Sequence, residues 1–307
     1  MTKQALMVGL GEVLWDFLPS GKLLGGAPTN FAYMACVLGD LGTVASRVGK
    51  DRLGQEARHQ LEQLGLNTEY LQEDSHSRTG TAGVAIDSSG QPSFTIEESV
   101  AWDGLQWTPE WDELSARADV ICFGSLAQRS EVSADTINRF LSNCKSGTLR
   151  IFDVNLRQSY YEKDVLNRSL RRANIVKLAE QELSIVAELL RLEGNSAELL
   201  ARRLKHDFEL ELVCVTRGAH GSLMVSEHEC VSHPGFAVKV VDSVGAGDAF
   251  TACLAHHFIR GHSLNEISEY ANRFASWVAT QIGATPAINP LQLQELLRRA
   301  GAASGVF

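Results

Sequence analysis

The chain has 307 residues, of which 44% are hydrophobic and 21% charged, and a formal net charge of −9. That is enough material for a large core in one or two domains, and the acidic balance argues against a nucleic-acid or anionic-membrane surface. No apolar run approaches the ~18 residues of a membrane span, and the six cysteines (Cys36, Cys122, Cys144, Cys214, Cys230, Cys253) form no C-x-x-C pair. Reduced, mostly buried thiols in a cytoplasmic protein are therefore expected, rather than a disulfide framework or a zinc site.

Residues 5–11 read as a buried strand, cut off too soon by Glu12 and Asp16 to be a signal peptide. Gly9-Leu-Gly11 lacks the third glycine of a dinucleotide fingerprint. Residues 14–18 look like another strand rather than a helix, so a tight turn is expected at the glycines. Gly25-Gly-Ala-Pro-Thr-Asn-Phe-Ala32 is more informative. Its paired glycines allow close backbone approach to a ligand. Pro28 opens a helix over residues 29–38 with Phe31, Met34, Ala35 and Leu38 on one face. Asn30 is either a first-turn or capping residue of that helix or a donor and acceptor for neighbouring ligand hydroxyls. Residues 81–87 and 93–97 flank Ser88-Ser-Gly-Gln91 and predict a hairpin with an exposed turn, placed to act as a lid.

From Ala118 onward the texture changes. Strands are predicted over 119–123, 149–154, 174–178 and 211–216, with helices over 130–143 and 180–192. That rhythm implies a parallel sheet covered on both faces. Thr216-Arg-Gly-Ala-His-Gly221 follows a strand and is open to two readings, a backbone approach to a nucleotide or a plain β-turn. His256 and His257 lie on an otherwise apolar helix and are read as packing or surface residues, not metal ligands.

The densest signal is Val240-Val-Asp-Ser-Val-Gly-Ala-Gly-Asp-Ala-Phe250. It predicts a strand over 238–241, a glycine turn, then a helix through Ala249, Phe250, Leu254 and Phe258. Free N–H groups and the positive dipole end at such a helix start form an anion cradle. A carboxylate there, Asp248, repels an anion. It makes sense as the acceptor of a proton from a hydroxyl that attacks a phosphoryl group. The plainer reading is an acidic residue favouring the dipole. Gly-Ala-Gly-Asp alone should occur by chance in about one in a hundred chains of this length, with Gly at ~7%.

Together these segments resemble the ribokinase (PfkB) family of carbohydrate kinases, and within it the fructokinase group, in the right order over nearly the whole chain. Gly11-Glu-Val-Leu-Trp-Asp-Phe-Leu-Pro19 is similar to the fructokinase opening, whose aspartate, here Asp16, binds sugar hydroxyls. Gly25 to Ala32 matches that group's sugar loop. Arg47-Val-Gly-Lys-Asp-Arg-Leu-Gly54 and Phe123-Gly-Ser-Leu126 are also familial. Asp153-Val-Asn-Leu-Arg157 resembles the segment whose arginine, here Arg157, reaches the substrate, and Asp242 to Phe250 resembles the C-terminal signature.

The resemblance implies an α/β three-layer sandwich, with a mostly parallel sheet, helices on both faces and a small β-lid from roughly 12–24 and 79–100, in one domain over 1–307. It implies a sugar site at Asp16, Gly25, Gly26, Asn30, Asn155 and Arg157. It implies a catalytic base at Asp248 within an anion hole of Gly245, Ala246 and Gly247. ATP is expected along the carboxyl ends of the strands at Lys177, Thr216, Gly218, Gly221 and Asn272, with the helix over 272–282 near the nucleoside. Mg²⁺ is expected through water on Glu182; K⁺ and a homodimer are left open. The helix dipole is expected to keep Asp248 ionised, hence a weak base that a loose transition state tolerates.

Two positions depart from the family pattern. In Lys177-Leu-Ala-Glu-Gln-Glu182, Ala179 replaces the usual asparagine, and Ser243 stands where threonine is usual. Ribokinases carry Gly-Ala-Asn-Gln in the sugar loop and ketodeoxygluconate kinases Asn-Tyr-Arg, against Ala-Pro-Thr-Asn and Asn-Leu-Arg here, which favours fructokinase. Aminoimidazole riboside kinase shares the same elements. A silent sugar sensor on the same fold is argued against by the intact Gly-Ala-Gly-Asp.

Overall fold

Strands buried on both faces dictate a layered molecule. The computed structural model describes residues 3–18, 21–86 and 92–298. Seven strands run parallel: β1 (Leu6–Leu10), β4 (Leu41–Gly49), β5 (Leu71–Asp74), β8 (Val120–Phe123), β9 (Leu149–Asp153), β10 (Ile175–Ala179) and β11 (Leu212–Thr216). β12 (Ser222–Val225) and β13 (Cys230–His233) extend one edge antiparallel, giving the order β13-β12-β11-β10-β9-β8-β1-β4-β5. Successive side chains of a strand point to opposite faces, and the core divides accordingly. Val8, Ile121, Val176 and Val213 pack on one side; Met7, Val120, Ile175 and Leu212 pack on the other.

On the first side lie α3 (Pro109–Arg117), α4 (Glu131–Asn143), α5 (Lys163–Arg172), α6 (Glu180–Leu190) and α7 (Ala197–Phe208), which contribute Trp111, Phe140, Leu170, Val186 and Leu204. The second side is covered by α1 (Ala27–Val37), α2 (Arg52–Gln63), α8 (Ala246–Phe258), α9 (Leu264–Ala279) and α10 (Pro290–Arg298). Helices α1 and α8 are apolar nearly all round and bury accordingly. Their small residues, Ala32 and Ala35 on α1 and Ala249 and Ala252 on α8, let the two pack together. That packing sets the start of α1 beside the start of α8. Each large side chain on it, such as Phe31 or Met34, contributes roughly 1.5–3 kcal/mol of burial.

A separate small sheet has the order β3-β2-β6-β7, from β2 (Leu14–Leu18), β3 (Gly21–Gly25), β6 (Gly80–Ile86) and β7 (Pro92–Ile96). The expected hairpin is β6–β7, antiparallel; its turn at 88–91 lies outside the described residues. β2 runs parallel to β6, with Asp16 opposite Ala82.

Two expected elements differ. Residues 238–241 form no strand: Val240 and Val241 are 57% and 56% exposed, and the Val241 N–H is tied to Ala279 O at 2.9 Å, at the end of α9. A valine run has strand propensity, but here no neighbouring strand pairs with it. The helix expected over 272–282 is α9, which begins at Leu264 behind a Ser263 cap and ends at Ala279. His256 bonds Asp40 at 2.6 Å, and His257 stacks on Tyr270 with centroids 4.2 Å apart, so both pack the fold. All six cysteines are free thiols, and no helix among the described residues is long and apolar enough to cross a membrane.

Candidate active site

The site is assembled where the parallel strands end. Lys177, inside β10, and Asp153, the last residue of β9, are register neighbours and form a buried pair with Nζ to carboxylate distances of 3.0 and 3.1 Å. Thr251 of α8 donates to Asp153 Oδ2 at 2.8 Å, so the carboxylate is fixed from two sides. Burial pulls Lys177 toward the neutral amine. Asp153, then Asp248 and Glu182, outweigh it and hold the ammonium above the ordinary lysine range. A Cβ on Gly247 would sit 3.0 Å from Lys177 Nζ, so glycine there lets a positive charge lie against the first turn of α8.

That turn begins at Gly245, with φ 79°, where a side chain would also meet Ala284 Cα at 2.6 Å. Ala246 N–H turns back on Ser243 O at 3.3 Å, and the helical ladder starts with Ala249 N–H to Gly245 O at 2.9 Å. Of the expected anion hole, the amides of Gly247 and Asp248 thus precede the ladder without an intrahelical acceptor, while Ala246 is engaged locally.

Asp248 Oδ2 accepts a 2.7 Å hydrogen bond from Asn30 Nδ2. A carboxylate needs a donor, which fixes the amide so that Asn30 Oδ1 is the free end, and that atom is buried without a partner. Burial, and then the charge of Asp153, push the Asp248 carboxyl up to about 6, against Lys177, Asn30 and Arg157, so it stays ionised at neutral pH yet is a stronger base than the helix start alone suggested. The reason is burial among other acids, which sequence spacing does not show.

Asp16, on β2, is pushed up to about 6 by burial, with the charge of Arg157 opposing. Gly25 on the adjacent strand has no side chain because a Cβ there would overlap Asp16 Oδ2. Gly26, at φ 108°, passes so close to Glu12 O that a Cβ would collide with it. Asn155, at φ 41°, turns the chain after β9 and presents Arg157 on the surface. Arg157 is the cation common to three raised carboxyls: Glu12, Asp16 and Asp248.

Glu182 reaches from α6 to accept from Leu156 N–H and Ala179 N–H, both at 2.7 Å. It therefore pins the loop carrying Arg157. Each oxygen keeps a lone pair, which fits a water-mediated metal contact. Thr216 lies at the end of β11 with Oγ1 3.5 Å from Leu178 O, and Gly218 opens a single 3₁₀ turn. Gly221 has a packing reason: at φ 78° a Cβ would collide with His233 O. Asn272 is 5% exposed, with Nδ2 donating to Ser222 Oγ and Ser268 O at 2.7 Å each, so that nitrogen fastens α9 to β12, while Oδ1 takes no hydrogen bond from the described residues.

Two further residues belong to the site. Asp153 stands at the head of the Asp153-Val-Asn-Leu-Arg157 segment, and its part, the buried pair with Lys177, shows only in the fold. Glu12 is 3% exposed; Oε1 accepts from Ala27 N–H at 3.3 Å, Oε2 has no partner, and burial pushes the carboxyl up to about 7. A glutamate inside an otherwise apolar strand-turn segment was the available signal.

A basic group against a helix start, with a bonded carboxylate beside it, on a layered α/β fold is an arrangement suited to phosphoryl transfer. The chain belongs to the pfkB family of carbohydrate kinases, whose model matches residues 21–291. It is 33% identical over 256 residues to a fructokinase of Klebsiella pneumoniae, covering 80% of this chain and 81% of that one. The crystal structure of an uncharacterized sugar kinase from Pyrococcus horikoshii in complex with ATP is similar with TM-score 0.79 at 25% identity, covering 96% and 99% of the two chains. A double mutant of Vibrio cholerae fructokinase, in a fructose, ADP and potassium ion bound form, gives 0.80 at 25% identity over 96% and 98%.

Proposed function

We propose that this kinase transfers the γ-phosphoryl group of ATP to a hydroxymethyl group of D-fructose. The observation that carries the reading is Asp248 at the start of α8, steadied by Asn30 and backed by the Lys177–Asp153 pair. In this reading the sugar lies under the small sheet. Asp16 accepts from its hydroxyls, the Gly25–Gly26 backbone comes close, and the unpartnered Asn30 Oδ1 and Arg157 complete the grip. The attacking hydroxyl gives its proton to Asp248, the new O–P bond forms as the bond to ADP breaks, and ADP leaves with the electron pair.

Lys177 and the Gly247 and Asp248 amides stabilise charge on the transferring group, while Thr216 and Gly218 flank the nucleotide. Glu182, pinned with one lone pair free on each oxygen, is the residue that would hold Mg²⁺ through water, and the ion would supply neutralisation of the phosphate charge. The potassium ion in the Vibrio cholerae structure supports a monovalent cation as well. Six free thiols suit a reducing cytoplasm.

Fructose is preferred because the opening at Asp16, the Ala27-Pro28 loop and Asn155-Leu-Arg157 all follow the fructokinase pattern, and because a fructokinase is 33% identical. A coupled ADP-release assay across fructose, ribose, ketodeoxygluconate and aminoimidazole riboside tests it. Fructose should show the highest kcat/KM; a tenfold advantage for another sugar overturns the substrate, and no turnover with any overturns the enzyme reading.

A further inference from the structure

The parallel strands have a second end. About 13 Å back along β9, at ~3.3 Å per residue from Asp153 to Leu149, a cavity of about 690 Å³ opens among the strand starts. Its size falls within the ~300–1,000 Å³ of small-molecule sites. Phe258, at the far end of the helix that begins beside Asp248, forms part of its wall, so the cavity and the phosphoryl-transfer site lie at opposite ends of the same elements.

Two arginines line it, and both are held the same way. Arg150 donates from Nε to Asn174 Oδ1 at 3.0 Å, and Arg172 donates from Nε to Asn138 Oδ1 at 2.9 Å. Among the described residues neither guanidinium meets a carboxylate, and their terminal nitrogens carry no hydrogen bond. Other arginines without an ion pair find different partners, Arg139 and Arg171 over the rings of Trp107 and Phe208, and Arg217 on Ser222 O, Ser232 Oγ and His233 O. Glu211 is the carboxylate among the described lining residues, and its Oε1 accepts from Asn174 Nδ2 at 2.9 Å, the same amide that steadies Arg150. Lys145, also in the lining, spends its charge on Asp119 at 2.6 Å. What remains is two guanidinium forks oriented through Nε, whose terminal nitrogens bond no other described residue. A planar guanidinium fixed through Nε presents a pair of N–H groups that matches the oxygens of a phosphate.

We infer that this cavity is a second anion site, taking a phosphate dianion between the forks of Arg150 and Arg172. The inference stands independently of which sugar the kinase phosphorylates. The free ion and the phosphate of a small monoester share this chemistry, and the assay separates them.

The test is isothermal titration of inorganic phosphate into the full chain at constant ionic strength, with the kinase site first saturated by a non-hydrolysable ATP analogue, Mg²⁺ and sugar. A single saturable site is expected. Its affinity should fall at least tenfold in the Arg150→Gln/Arg172→Gln double variant, while kcat and KM stay within about twofold. Arg202→Gln, an exposed change of the same sign, should leave binding unaltered. If a sugar monophosphate displaces the phosphate, the natural ligand is an ester; if it does not, the free ion is. Equal binding by the double variant, or no saturable heat up to about 10 mM, beyond the reach of even a weak site, overturns the inference.

Discussion

Glu12 offers a test in which removing a charge from the site should make the protein more stable. Its carboxyl is buried and pushed from 4.5 to about 7, so the folded chain retains a proton that the unfolded chain gives up. The associated stability is complete below pH 4.5 and is lost as pH rises through about 7. By pH 8 the ionised carboxylate costs about 3 kcal/mol, at 1.36 kcal/mol per pH step between the two values. Glu12→Gln keeps the shape and the oxygen that accepts from Ala27 N–H, and it removes the titration. Urea unfolding of both proteins without ligand, from pH 4.5 to 8, should show nearly equal stability at the acid end. An advantage for Gln should then grow to about 3 kcal/mol, reduced by whatever attraction to Arg157 is forfeited. Unchanged m-values are required for the comparison. A difference that stays flat with pH, or that moves toward wild type as pH rises, refutes the reasoning.

Asp16→Ala removes a charged acceptor worth ~1.5–3 kcal/mol; KM for sugar should rise roughly 10- to 150-fold with KM for ATP unchanged, and equal losses for both ligands contradict the sugar role. Gly25→Ala forces a Cβ into Asp16 Oδ2, so it should reproduce that pattern in milder form, and an unaltered sugar KM contradicts the packing argument. Asn272→Ala removes the amide bonds to Ser222 Oγ and Ser268 O while both keep another partner, in the Ser222–Ser268 contact and the α9 ladder, and should cost about 0.5–1.5 kcal/mol of stability with ATP affinity held. A selective loss of ATP affinity at unchanged Tm would place Asn272 in the nucleotide site.

The layered sheet was legible because a strand buried on both faces has a continuous apolar run, as at Val120–Phe123 and Leu212–Thr216. The proline and glycine punctuation of α1 and α8 was equally plain. The exposed valines at 240 and 241 misled because propensity does not report whether a partner strand exists. At the site, the sequence supplied Asp248, Asn30 and Lys177 but not their relations: the Asn30–Asp248 bond joins residues 218 positions apart. Glu12 stayed hidden for a related reason, since what raises its carboxyl is burial in the assembled fold and not anything within its own segment. Asn272 adds a packing role that its spacing did not suggest, since its Nδ2 is held between α9 and β12.

The account rests on Asp248 as the proton acceptor, and one variant addresses it most directly. Asp248→Asn keeps the shape and can keep an oxygen facing Asn30 Nδ2, so Tm and ATP affinity should hold while kcat falls roughly 10²–10⁴-fold, the usual worth of a positioned acid–base group. In the wild type, kcat should decline as pH falls below about 6, where the carboxyl takes up a proton, and the residual turnover of the variant should lack that limb. A variant with near wild-type kcat, or one that loses stability while turning over normally, contradicts the assignment and leaves Asp248 a first-turn residue that serves only the helix.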